Sequence, residues 1–208
     1  MPIIPSILDT DLYKFTTSYA YSKLYPRAYG QFRFIDRNDT CYPKGFAEQL
    51  KEETKAMAQL SLSRDEELFL HQELPYLPPT YIDFLKGFRF NPEELIIEQD
   101  EAGHLSIIAE GLLYRVTLWE TPILALVSEL YYRITGAKPD MEYAEQAITK
   151  KAKALAQEGI SFSMFGMRRR FSFEVELRMT ELLKQHAGSC LYGTSNVHIA
   201  HLLGLKVS

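Results

Sequence analysis

The stretch GISFSMFGMRRRFSFEVELRMTELLKQHAGSCLYGTSNVHIAHLLGLKV, residues 159–207, decides the architecture of this chain. Short apolar runs alternate in it with longer amphipathic ones, and Gly159, Gly188 and Gly204 stand at the joints. Ile160–Met164 reads as a strand, Phe171–Gln185 as a helix, Ser189–Tyr192 as a strand and Val197–Leu203 as a helix. Leu205-Lys206-Val207 opens a further strand. Strands joined through helices are expected to lie parallel, in a sheet or a barrel. An eight-fold barrel takes roughly 250 residues, far more than follow Trp119. The last strand is expected to be cut short, and the chain to hold only the first βα units of an incomplete α/β barrel.

Toward the N-terminus, Glu142–Gln157 reads as a helix rich in Ala and Lys that closes at Gly159, and Pro122–Ile134 as an apolar helix capped by Gly136. Before about Trp119 the pattern changes. Leu95–Glu98 and His104–Ala109 flank Asp100-Glu101-Ala102-Gly103, a β-hairpin candidate. Gln31–Arg37 alternates Phe32 and Phe34 with charged residues and reads as a half-buried strand with Arg37 at its end. Leu12–Leu24 fits an amphipathic helix stopped by Tyr25-Pro26, and Ala47–Leu60 a polar one. Ser63 with Glu66 three residues on is the signature of a capping box for a helix running to Leu74. Pro75, Pro78 and Pro79 then break the pattern before a short helix that ends near Gly87. The expected fold class is α/β with an α+β N-terminal domain, residues 1–118, and a barrel domain that begins over residues 119–208.

With 46% hydrophobic and 24% charged residues, the chain has the means to bury a core. A formal charge of −4 argues against a general nucleic-acid binder, whose affinity rests on an excess of Lys and Arg. Cys41 and Cys190 match no metal-ligand spacing and read as two reduced thiols. No basic leader and no run of ~18 apolar residues is present. A soluble, cytoplasmic protein without membrane or nucleic-acid partners is expected.

Five segments carry a family resemblance. They are Asp9-Thr10-Asp11-Leu12-Tyr13-Lys14; Phe32-Arg33-Phe34 followed by Arg37; Trp119-Glu120-Thr121-Pro122 leading to Ser128-Glu129; Phe165-Gly166 with Arg168-Arg169-Arg170-Phe171-Ser172; and Gly193-Thr194-Ser195-Asn196-Val197. In order and spacing the set resembles nicotinate phosphoribosyltransferase along essentially the whole chain. The resemblance implies a type II phosphoribosyltransferase fold and an antiparallel homodimer with active sites shared between subunits. It implies nicotinate and phosphoribosyl pyrophosphate as substrates, with Mg2+ and ATP. The family's Gly-Thr-x-Ala-His segment, whose His is transiently phosphorylated, is expected just beyond Ser208, so the 208-residue chain alone is expected to be inactive and prone to associate.

Displacing pyrophosphate from ribose builds an oxocarbenium-like centre and an anionic leaving group, so the ring must be held in line and the departing charge neutralised. Two aromatic faces grip a pyridine ring well. Phe165, at the end of a βα strand, and Tyr13, implied to come from the partner subunit, are the candidates. A randomly chosen aromatic is far more often core; the flanking motifs favour the functional reading here. Three arginines at a helix start oppose its dipole and point to a bound anion. Arg168 is the first candidate for phosphate or the nicotinate carboxylate, since a guanidinium donates two parallel hydrogen bonds, while Arg169 or Arg170 is expected to be structural. Arg37 resembles an arginine that reaches phosphate across the dimer interface in the related nicotinamide enzyme.

Ser195 bears on specificity. The nicotinamide enzyme carries Asp at this position. A hydroxyl can donate to a carboxylate, whereas Asp beside nicotinate would cost about 4 kcal/mol at a ~4 Å separation in a partly buried site. Met167 stands where the family commonly has Thr. His198 and His201 lack a third metal ligand, and Glu120 and Glu129 are expected to pair charges or cap helices around the first barrel helix. Alternatives are a non-catalytic dimerisation or binding module of the same fold, and nicotinamide or quinolinate phosphoribosyl transfer.

Overall fold

The structure, a computed structural model, describes residues 2–208. Its first sheet is antiparallel, with Leu105–Leu112 (β3) between Tyr29–Arg33 (β1) and Leu95–Gln99 (β2). The alternation in β2 and β3 turns Ile97, Ile107 and Ala109 into the core. These two strands form the expected hairpin, whose turn is closed by Asp100 accepting from the His104 N–H at 2.8 Å. β1 departs from its expected bounds at both ends. It begins at Tyr29, opposite Leu112, because Gly30 leaves room for Leu113, whose Cδ2 would lie 2.5 Å from a Cβ there. It ends at Arg33 because Asp36 accepts from the Asn38 and Thr40 N–H groups and folds the chain into a turn. Arg37 therefore lies in a bend after the strand.

Four helices share its core: Leu12–Leu24 (α1), Phe46–Met57 (α2), Arg64–Glu73 (α3) and Pro79–Gly87 (α4). The capping box at α3 is present in full: the Glu66 N–H donates to Ser63 Oγ, and Glu66 Oε2 accepts from the Ser63 N–H. Phe15, Leu50, Leu70, Ile82 and Leu85 from these helices are buried in the same core as Ile107.

A four-residue helix, Leu113–Val116 (α5), and a 3-10 turn at Thr117–Trp119 lead into Glu120–Thr135 (α6). This helix starts ahead of Pro122, which a first turn tolerates because the missing N–H there has no intrahelical partner. It ends on Gly136 at φ +70°. Met141–Gln157 (α7) begins with Asp140 accepting from the Tyr143 N–H. The second sheet is parallel, in the order Phe162–Met164 (β4), Leu191–Thr194 (β5) and Lys206–Val207 (β6). Phe173–Ala187 (α8) and Val197–Leu203 (α9) make the crossovers. Helix α8 starts two residues later than expected because Ser172 Oγ accepts from the Val175 N–H and acts as its cap. Strand β5 is displaced likewise, since Gly188–Cys190 forms a 3-10 turn.

One cluster of buried apolar residues runs from Ile3 through Trp119, Leu126 and Met167 to Val197. A smaller one, around Ala152, Leu183, Ala187 and Leu191, joins α7 and α8 to the parallel sheet. Cys41 and Cys190 are free thiols. Among the described residues no helix is long and apolar enough to cross a membrane.

Candidate functional site

Three segments meet at the C-terminal ends of β4 and β5, where open α/β sheets place their ligands. They are residues 9–14 at the start of α1, the turn 165–170 after β4, and the loop 194–196 after β5. Backbone bonds hold them together. Leu12 N–H donates to Ser195 O at 2.8 Å, Ser195 N–H to Met164 O at 3.0 Å, and Val197 N–H to Thr10 O at 3.0 Å. The Ser195 hydroxyl adds a side-chain link, donating to Asp11 Oδ1 at 2.7 Å.

Phe165 stands out of this junction, 59% exposed. The Arg168 guanidinium carbon lies 5.4 Å from the ring centroid, within cation–π range. Arg168 Nε is 3.8 Å from Asp11 Oδ2, an oxygen that is buried without a hydrogen-bond partner among the described residues. Burial pushes the Asp11 carboxyl up from the ordinary carboxylate range; the Ser195 hydroxyl, Arg168 and Lys14 act against that rise.

Tyr13 is partly exposed on the first turn of α1, and its Oη donates to Glu120 Oε1 at 2.7 Å. Lys14, fully inside, donates to Glu120 Oε2 and lies 4.4 Å from the Tyr13 ring centroid. Glu120 thus has the charge-pairing role expected of it. Burial holds the Lys14 ammonium below its usual range, with Glu120 opposing, and burial followed by the Glu120 hydrogen bond drives the Tyr13 phenol well above its own.

The structure brings Phe165, Arg168, Ser195 and Tyr13 into one neighbourhood, joined through Asp11 and Glu120. Ser195 is buried, and its one proton is engaged by Asp11. Arg37 stands apart: it is exposed, and no hydrogen bond or ion pair engages it among the described residues. Arg169 is exposed, Met167 is buried, and Arg170 is structural, paired with Asp9 inside the protein. Glu129 also pairs charge, facing Arg133 and Arg170, and accepts from the Phe173 N–H at the start of α8. His198 packs against Phe173 and His201 against Phe69. Asp11 and Lys14 were missed as part of the site. A lysine in the first turn of a helix opposes the dipole mildly, and it is the burial of Lys14, which no local sequence signal gives, that calls for a nearby carboxylate.

An exposed aromatic face beside a guanidinium, at the strand ends of a parallel sheet, can hold a flat anion. Residues 8–128 match the family model of the nicotinate phosphoribosyltransferase N-terminal domain, and residues 160–208 that of the nicotinate phosphoribosyltransferase family. The chain belongs to the nicotinate phosphoribosyltransferase family. It is 44% identical over 206 residues to the nicotinate phosphoribosyltransferase of Chromohalobacter salexigens, covering 98% of this chain and 52% of that protein. The crystal structure of the Porphyromonas gingivalis nicotinate phosphoribosyltransferase is similar at 64% identity and a TM-score of 0.96, with 99% of this chain and 53% of that one covered. A putative nicotinate phosphoribosyltransferase from Saccharomyces cerevisiae is similar at 31% identity and a TM-score of 0.89, over 100% of this chain and 54% of that one. The chain spans about half the length of the curated relatives it matches.

Proposed function

We propose that this chain forms the first half of a nicotinate phosphoribosyltransferase that makes nicotinate mononucleotide and pyrophosphate in NAD salvage. Nicotinate and phosphoribosyl pyrophosphate are the substrates, and ATP is hydrolysed as co-substrate. The observation that carries the reading is the exposed Phe165 ring beside Arg168, next to Asp11 and Ser195, in a chain of this family. Phe165 takes one face of the pyridine ring and Tyr13, supplied by the partner of a homodimer, the other. Arg168 meets the nicotinate carboxylate or a phosphate, and the bidentate geometry of guanidinium suits both. Ser195, whose proton is engaged by Asp11, positions the corner at the carboxylate end and leaves the carboxylate itself to Arg168, and Arg37 reaches phosphate across the dimer. Mg2+ would help neutralise the charge of the departing pyrophosphate. The antiparallel first sheet and parallel second one support a division into an α+β domain, residues 1–118, and the opening βα units of an incomplete barrel, 119–208. The phosphorylated histidine belongs to the half of the family's length that this chain does not span, and the enzyme works in the cytoplasm.

The test is calorimetric titration of nicotinate and of nicotinamide into the protein expressed to the natural stop codon of its frame. Saturable binding of nicotinate alone supports the reading. Equal binding of both would move the substrate to the pyridine amides, and binding of neither would leave a non-catalytic module.

A further inference from the structure

Arg170 is the last of three consecutive arginines, and unlike Arg168 and Arg169 it is buried, at 4% exposure. Its Nη1 and Nη2 donate to the two carboxylate oxygens of Asp9 at 2.9 and 2.8 Å, and Nη2 also donates to Ile3 O at 2.7 Å. Asp9 is itself fully buried, and its Oδ1 accepts a further bond from Asn196 Nδ2 at 2.8 Å. Asn196 Oδ1 in turn accepts from the His198 and Ile199 N–H groups and caps α9. Arg170, Asp9 and Asn196 are therefore a continuous chain of hydrogen bonds. One member lies in the turn with Phe165 and Arg168, one in the segment with Asp11 and Tyr13, and one beside Ser195.

A buried ion pair of this kind adds little net stability over apolar packing. Its planar, two-point geometry fixes orientation instead, which packing alone does loosely. Two further carboxylates meet the guanidinium: Glu176 Oε2, 3.3 Å from Nη1, and Glu129 Oε2, 3.5 Å from Nε, tie it to α8 and α6. Those contacts do not reach the three segments.

We infer that Arg170 is a positioning residue which, through Asp9 and Asn196, sets the spacing between the Phe165–Arg168 turn and the Asp11–Ser195 corner. Its effect on ligand rests on the proposed nicotinate site; its mechanical role does not. Arg170→Lys keeps the charge but replaces the planar two-nitrogen fork on Asp9 by one flexible ammonium. Asn196→Ser keeps a capping oxygen for α9 but is too short to reach Asp9. Both are made in the protein expressed to its natural stop codon, with Glu176→Gln as a control inside the same cluster.

Two readouts decide it, amide hydrogen exchange and nicotinate titration. The amides of Leu12, Ser195, Val197 and His198, which donate between the segments, are expected to exchange about tenfold faster or more in both variants, while the 95–112 hairpin and α3 keep their rates. The nicotinate Kd is expected to rise by about tenfold or more, since small misplacements of binding groups are costly. Glu176→Gln should leave the nicotinate Kd unchanged, and should leave the exchange of those four amides unchanged relative to the hairpin and α3, any even change across all of them reporting global stability. Unchanged exchange at those four amides, or a loss of protection spread evenly through the hairpin and α3, would overturn the inference. If Arg170→Lys fails to fold, Asn196→Ser decides. If the unaltered protein does not bind nicotinate, the substrate reading fails, and the exchange pattern still judges the positioning role.

Discussion

Ser195 Oγ donates to Asp11 Oδ1 at 2.7 Å across 184 residues of sequence, fastening the loop after β5 to the start of α1. Asp11 Oδ2 has no hydrogen bond among the described residues, so this contact is the main satisfaction of a carboxylate that is 1% exposed. Ser195→Ala should therefore leave a buried carboxyl unsatisfied and lower stability by about 1–3 kcal/mol. Urea unfolding measures this, and a loss under about 0.5 kcal/mol would mean that Asp11 finds another partner.

Phe165→Ala and Tyr13→Ala should each weaken nicotinate binding in the protein expressed to its own stop codon. A lost ring stack is worth ~0.5–1.5 kcal/mol, or roughly two- to twelve-fold in Kd. Phe165 is exposed in the single chain, so its loss should barely move the thermal midpoint, whereas Tyr13→Ala also loses the bond to Glu120 and the contact with Lys14 and should lower it slightly. Tyr13→Phe keeps the ring and loses only the bond to Glu120. If Tyr13 acts across subunits, mixed dimers of Tyr13→Ala with Phe165→Ala should recover about one site of native affinity per dimer, which neither parent has. Unchanged affinity in both alanine variants would return the two rings to ordinary surface residues.

Glu176 supplies a pH test. Burial, opposed by Arg170 and assisted by Asp9, raises its carboxyl from 4.5 to about 7. The folded state then holds a proton that the unfolded chain has released between those values. Its contribution is fully present below about pH 4.5 and is lost as pH rises through 7. Glu176→Gln cannot lose that proton. Relative to the unaltered protein, the variant should gain stability from pH 5 to pH 8, by an amount on the order of 3 kcal/mol at most. A pH-independent difference in unfolding free energy would contradict this.

Much of the fold could be read locally. The capping box at Ser63 and Glu66, the hairpin around Asp100, and α9 between Asn196 and Gly204 are each specified by residues within a few positions of one another. Errors came where a nearby polar group competed for the backbone, as with Asp36 after β1 and Ser172 before α8. The site was legible in part. Phe165, Arg168 and Ser195 gather within one chain, and so does Tyr13, which the resemblance implies is supplied by the partner subunit; Arg37 stands apart from them. The pairing of Arg170 with Asp9 spans 161 residues and left no local trace. In sequence the three arginines look alike, and only burial separates them.

Gly193 tests the parallel sheet. A Cβ there would lie 2.2 Å from Lys206 O, so β5 and β6 can pair only over a residue without a side chain. Gly193→Ala should force the strands apart and cost about 1–3 kcal/mol. Circular dichroism on heating reads the change, and a melting curve equal to that of the unaltered protein would show that β6 pairs with less constraint.

The most direct measurement follows the product. The protein, expressed to the natural stop codon of its frame, is incubated with nicotinate, phosphoribosyl pyrophosphate, ATP and Mg2+, and nicotinate mononucleotide is followed by chromatography. Formation of that product from nicotinate and none of the amide product from nicotinamide is the expected result, with the rate falling in Arg168→Ala. Nucleotide formed equally well from nicotinamide, or none from nicotinate in protein shown to be folded, would contradict the account.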